Sequence, residues 1–129
     1  MKDPIKAIIR QLQKDYVYST QANNRKGGLV GLAATAIALM DDTALYMNLL
    51  IEPILKCFRD QESRVRYYAC EALYNVTKVA RGKMLEFFNE IFDGLCQLSA
   101  DADVDVKNGA QLLDRLLKDV VAECETFSA

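Results

Sequence analysis

Apolar positions along this chain recur at helical spacing, and the pattern repeats when the sequence is slid 41 places along itself. Ile5, Ile8, Ile9, Leu12 and Tyr16 follow the i, i+3, i+4 spacing of an amphipathic helix, with Pro4 in its first turn and Asp3 as its cap. Gln21 to Asn24 reads as a break, and a second helix is expected from about Arg25 to Met40. Its many small residues, among them Gly27, Gly28, Gly31, Ala33 and Ala36, predict close packing on more than one side. A third helix is predicted from about Thr43 to Phe58, kinked by Pro53, and the turn Asp60–Ser63 follows with Ser63 as N-cap. The fourth runs from Arg64 to about Ala80, burying Val65, Ala69, Ala72, Val76 and Ala80, and Arg81-Gly82 ends it with glycine as the left-handed residue. A fifth from about Lys83 to Leu98, a turn at Asp101–Asp105 and a sixth from about Val106 to Cys124 complete the chain, with no strand pattern.

The offset pairs Leu50–Asp60 with Ile91–Asp101, Val65-Arg66 with Val106-Lys107, and Arg25 with Arg66. A period of roughly 40–47 residues built from two amphipathic helices marks HEAT and armadillo arrays. The expectation is an all-α, HEAT/armadillo-like α-solenoid of about three helix pairs, with repeats at about 4–40, 43–81 and 83–124 in one domain spanning 1–129. The chain starts abruptly and stops just after the second helix of a pair, so it reads as a piece excised from a longer scaffold. Solenoids expose long shaped surfaces for partners, which favours a scaffold over an enzyme.

Composition narrows the function further. A net charge of −2 argues against nucleic acid as partner. The charge is uneven: residues 56–83 carry seven bases against three acids, and residues 84–129 three against ten. With no histidine and no C-x-x-C pair, neither a mixed zinc site nor a Ser-His or Cys-His nucleophile can be built. Cys57, Cys70, Cys96 and Cys124 are expected as reduced thiols. Asp101, Asp103 and Asp105 resemble the start of a calcium loop, but Val106 and Leu112 stand where glycine and glutamate are needed. Arg25-Lys26-Gly27-Gly28 lacks the spacing of a phosphate-binding loop. No catalytic residue, metal or cofactor is implied.

Two constellations remain. Arg25, Arg66 and Lys107 recur just inside the second helix of each pair, with Asp60 and Asp101 at the preceding turns, and are expected to form a structural ladder. Tyr67, Glu71, Tyr74, Lys78 and Arg81 form a stripe on the fourth helix away from Val65, Ala69 and Val76. Tyrosine and arginine anchor interfaces, so this stripe is the candidate partner-binding surface.

The runs Arg25–Leu39, Arg64–Gly82 and Gly109–Glu123 resemble the N-terminal region of the vacuolar-morphology (Vac-fourteen) scaffold family, and the likeness extends from about Tyr16 onward. The resemblance implies a cytoplasmic, non-catalytic HEAT-repeat scaffold peripheral to endosomal or vacuolar membranes. It would assemble a PIKfyve-type phosphatidylinositol 3-phosphate 5-kinase with the opposing phosphoinositide phosphatase, controlling phosphatidylinositol 3,5-bisphosphate; membrane association would be indirect. Two other readings stand beside it: a generic adaptor binding a linear peptide, and a phosphoinositide contact through the basic 56–83 region. The first helix, with Ile5, Ile8, Ile9, Leu12, Tyr16 and Tyr18, and the last, with Leu112, Leu113, Leu116, Leu117, Val120 and Val121, carry broad apolar faces. Self-association through these terminal helices is expected of the piece.

Overall fold

Helices begin where the backbone finds an acceptor for its first N–H groups, and this chain supplies several. In the computed structural model, which describes residues 3–128 with side chains as far as Glu125, Asp3 Oδ1 accepts the N–H groups of Ile5 and Lys6 at 3.1 and 3.2 Å. Helix α1 (Pro4–Leu12) follows, then α2 (Ala22–Leu39), α3 (Met47–Cys57), α4 (Ser63–Ala80), α5 (Phe88–Leu98) and α6 (Val104–Ser128). Among the described residues there is no strand. The architecture is the expected all-α, HEAT-like solenoid, with α2, α4 and α6 packed side by side and α1, α3 and α5 against them. Leu29, Leu32, Leu50, Ile54, Leu73, Ile91, Leu113 and Leu117 form its fully buried spine.

Several boundaries differ from expectation. The stretch Ala22–Asn24 is the first turn of α2 rather than a break, because Ser19 Oγ accepts both the Gln21 N–H and the Asn24 side-chain amide at 3.1 Å. Ser63 does not cap α4; it is the first helical residue, and Asp60 Oδ1 instead accepts the Glu62 N–H at 2.9 Å. The helix after α1 widens into a π turn at Gln13–Val17. A π turn takes an extra residue and so shifts the register of everything beyond it. Val17 is therefore buried, and Tyr16, expected on the apolar face, is 43% exposed.

The ends of α2 and α4 share one device. Met40 (φ 51°, ψ −120°) and Arg81 (φ 47°, ψ −117°), 41 residues apart, each turn the chain out of the helix into a 3₁₀ segment, Met40–Tyr46 and Arg81–Phe87. Arg81, not Gly82, carries the positive φ. The first reversal is satisfied by buried Thr43, whose Oγ lies 3.0 Å from the Ala36 carbonyl and 2.6 Å from that of Met40. Residues 22–57 are apolar and long enough by composition to cross a bilayer, yet Met40 folds them into two helices whose Leu29, Leu32, Leu50 and Ile54 are fully buried.

Pro53 lies inside α3, buried, with no N–H to offer the carbonyl of Leu49 four residues before it. Gln13 Nε2, from the π turn of the preceding pair, donates to that carbonyl at 2.6 Å. The orphaned acceptor is thus satisfied across the repeat boundary.

Helix α2 crosses the π turn so closely that a Cβ on Gly28 would meet Val17 Cγ2 at 2.6 Å and the Val17 backbone nitrogen at 2.7 Å. At Gly27 a Cβ would meet nothing within 4 Å. Gly28→Ala is expected to destabilise the chain by about 1–3 kcal/mol through overpacking against a backbone that cannot yield. Gly27→Ala should stabilise it by about 0.5–1 kcal/mol through helix propensity. Urea unfolding of the two variants checks the pair.

Candidate functional site

At the turns between paired helices, arginine can grip a carboxylate with two parallel hydrogen bonds and still donate to a peptide carbonyl, because its guanidinium is a planar fork of donors. Arg25 donates through Nε and Nη2 to Asp60 at 2.7 and 3.0 Å, and through Nη1 to the Ser19 carbonyl at 3.1 Å. One repeat on, Arg66 donates to Asp101 at 2.8 and 3.1 Å and to the Asp60 carbonyl at 2.7 Å. The paired groups are largely buried: the carboxylates are 10% exposed and the guanidinium side chains 17% and 19%. Arg66 holds the Asp101 carboxyl below its ordinary range against the opposing effect of burial. Lys107, at the third position, is exposed and joins no ion pair among the described residues. A lysine ammonium could not reproduce the forked contact.

The aspartates after α5 are engaged locally. Asp101 Oδ1 accepts the Asp103 N–H, and Asp103 Oδ1 accepts those of Asp105 and Val106, which nucleates α6.

Above the ladder, the outer faces of α2, α4 and α6 leave two parallel grooves. Between α2 and α4 runs a groove of about 200 Å3, lined by Val30, Ala34, Ile37, Tyr68 and Asn75. Between α4 and α6 runs one of about 230 Å3, lined by Tyr67, Tyr74, Asn108 and Leu112. Glu71 borders both. Of the stripe read from the sequence, Tyr67, Glu71 and Tyr74 therefore share one surface. Lys78 lies over the Tyr74 ring, 5.6 Å from its centre. Arg81 is separated from them, beyond the end of α4, where Nε donates to Glu123 at 2.9 Å. Sequence periodicity missed the α2 side of this surface, because α2 is apolar nearly all round and presents no contrasting polar face. Val30 and Ile37 are 54% and 52% exposed, and only the structure distinguishes them from Leu29 and Ala36.

The basic stretch 56–83 does not act as one patch. Arg66 is in the ladder, Arg64 pairs with Asp105 at 3.3 Å, and Arg81 pairs with Glu123. Lys83 donates to the Asp41 carbonyl at 3.0 Å, and Lys56 lies over the Tyr18 ring. Cys57 and Cys70 are buried, and burial pushes both thiols up to about 12.

The family described as the Vacuolar 14 Fab1-binding region matches residues 23–119, which takes in α2 through α5 and most of α6, and so both grooves and the ladder. The chain belongs to the Vac14 family. It is 54% identical over 126 residues to the protein VAC14 homolog of Arabidopsis thaliana and 52% identical over 123 to that of Schizosaccharomyces pombe. It is 53% identical over 123 residues to the vacuole morphology and inheritance protein 14 of Saccharomyces cerevisiae. These matches cover 98%, 94% and 94% of the chain, which spans only 17%, 15% and 14% of those relatives. The Vac14 family likeness is thus to one segment of much longer proteins.

Arg66→Met would leave the Asp101 carboxylate and the Asp60 carbonyl without their shared donor, and a loss of about 2–3 kcal/mol is expected. Because the folded pKa of Asp101 is depressed, the unfolded chain binds its proton more readily. That increment of stability is fully present above its ordinary value of 3.8 and is lost as pH falls through the lower folded value. Denaturant titrations of wild type and Arg66→Met between neutral pH and pH ~3 should converge toward the acid end.

Proposed function

We propose that this segment is a non-catalytic docking element for a Fab1-type phosphatidylinositol 3-phosphate 5-kinase within a longer scaffold. The observation that carries the reading is the match of the Fab1-binding region to residues 23–119, the part of the chain that builds the two grooves. The outer face of α2, α4 and α6 has the character of an interface: half-buried tyrosines, exposed aliphatic residues and a rim of bases. In this reading the scaffold works at endosomal or vacuolar membranes, reached through its partners, and brings the opposing phosphoinositide phosphatase to the same assembly. Dispersal of the 56–83 bases onto internal partners speaks against a phosphoinositide surface there.

Self-association through the terminal helices rests on Ile8, 53% exposed on α1, and Leu112, 54% exposed on α6. Ile9 takes no part, since it is completely buried and a polar residue there would disrupt the core.

The immobilised 129-residue chain is expected to retain the Saccharomyces cerevisiae Fab1 kinase from solution, and Val30→Glu with Ile37→Glu should abolish retention while helicity is kept. Failure of the wild-type chain to retain the kinase overturns the reading.

A further inference from the structure

Most charged side chains around the two grooves already have a partner of their own. Lys26 lies over the Tyr68 ring at 5.0 Å, Arg64 over Tyr67 at 5.0 Å, and Lys78 over Tyr74 at 5.6 Å. Asp105 is paired with Arg64. Glu71 is different. It stands on the crest of α4 between the grooves, and among the described residues its carboxylate accepts no hydrogen bond and joins no ion pair. Its neighbours one turn away on α4 are Tyr67, Tyr68, Tyr74 and Asn75, and across the grooves it faces Val30 and Leu112, none of them a cation. A carboxylate placed amid aromatic and aliphatic surface attracts a cation strongly once that surface is covered, because water is then excluded from the pair.

The side-chain amides of Asn75 in one groove and Asn108 in the other also make no hydrogen bond among the described residues. An amide offers both a donor and an acceptor, the complement of an extended main chain, whereas a helix has already used its main-chain groups internally. Alternate side chains of an extended segment fall on one face. A segment crossing α4 therefore presents three side chains to this surface: an apolar one to each groove and the one between them to Glu71.

We propose that the occupant of this surface is an extended partner segment of the pattern apolar–x–basic–x–apolar, with its lysine or arginine on Glu71 and its main chain held by Asn75 and Asn108. This inference rests on the kinase-docking reading for the identity of the partner but not for the chemistry of the segment. Arginine is favoured over lysine, because its planar guanidinium can donate two parallel hydrogen bonds to the carboxylate.

The test is selection of a displayed random-peptide library on the wild-type chain and on Glu71→Arg, with circular dichroism showing both folded. Wild type is expected to enrich sequences with a central base flanked two residues away by aliphatic side chains, and Glu71→Arg to enrich an acid in its place. Glu71→Gln should weaken the wild-type sequences about tenfold. Enrichment without a central base, the same sequences on both proteins, or no enrichment above an unrelated helical protein overturns the proposal. Retention of the Fab1 kinase by wild type and Glu71→Arg alike would leave the docking reading standing and remove this inference. Library enrichment on the expected pattern with no retention of the kinase would do the reverse.

Discussion

The structure depends on an arginine that belongs to one helix pair and a carboxylate that belongs to the next. Arg25 on Asp60 and Arg66 on Asp101 each span 35 residues of chain, and each guanidinium also takes a carbonyl from the turn before its own helix. Three pieces of backbone are thereby fixed relative to one planar group. A largely buried bidentate pair tolerates little displacement, since moving either partner leaves a desolvated charge without compensation. This fixes the register in which α4 stacks on α2 and α6 on α4. The grooves between these helices inherit that register, so a contact at the turns sets the geometry of the surface that the same helices expose.

Close packing of the second helix within its own pair is the other half of the constraint. Gly28, Ala69 and Ala110 occupy one repeat position, and all three are buried. At Gly28 the absent side chain lets α2 meet Val17 of the π turn within its own pair, while the half-buried tyrosines of α4 lie on another face of the layer. The tyrosines form the walls of the grooves, and cations from within the chain cover their rings. Ladder, small-residue seam and tyrosine face are thus three bands of the same helices, serving register, closeness and recognition in turn.

What could be read from the sequence follows from which features are periodic. The 41-residue offset, the helix count and the recurrence of arginine and aspartate all depend on spacing, and spacing survives without coordinates. The π turn at Gln13–Val17 was not legible, because one inserted residue does not alter the apolar count; it only changes which residue, Val17 or Tyr16, faces inward. Arg81 and Met40 were missed as reversal points because both side chains ordinarily disfavour positive φ, and the glycine beside Arg81 offered a more conventional answer. On the binding surface, the α4 half was visible as polar and aromatic residues at helical spacing, and the α2 half was hidden within an apolar run.

Gln13 gives the first pair a role beyond packing. The carbonyl that Pro53 leaves open on α3 is closed by a side chain from the neighbouring pair, not from within its own. A proline that would weaken a helix standing alone is harmless only while that neighbour is in place. The second pair is therefore not an autonomous unit: its own sequence contains a defect that its predecessor repairs. Such dependence runs in one direction along the chain, from α1 toward α3, and it gives the array a polarity that the repeat symmetry does not have.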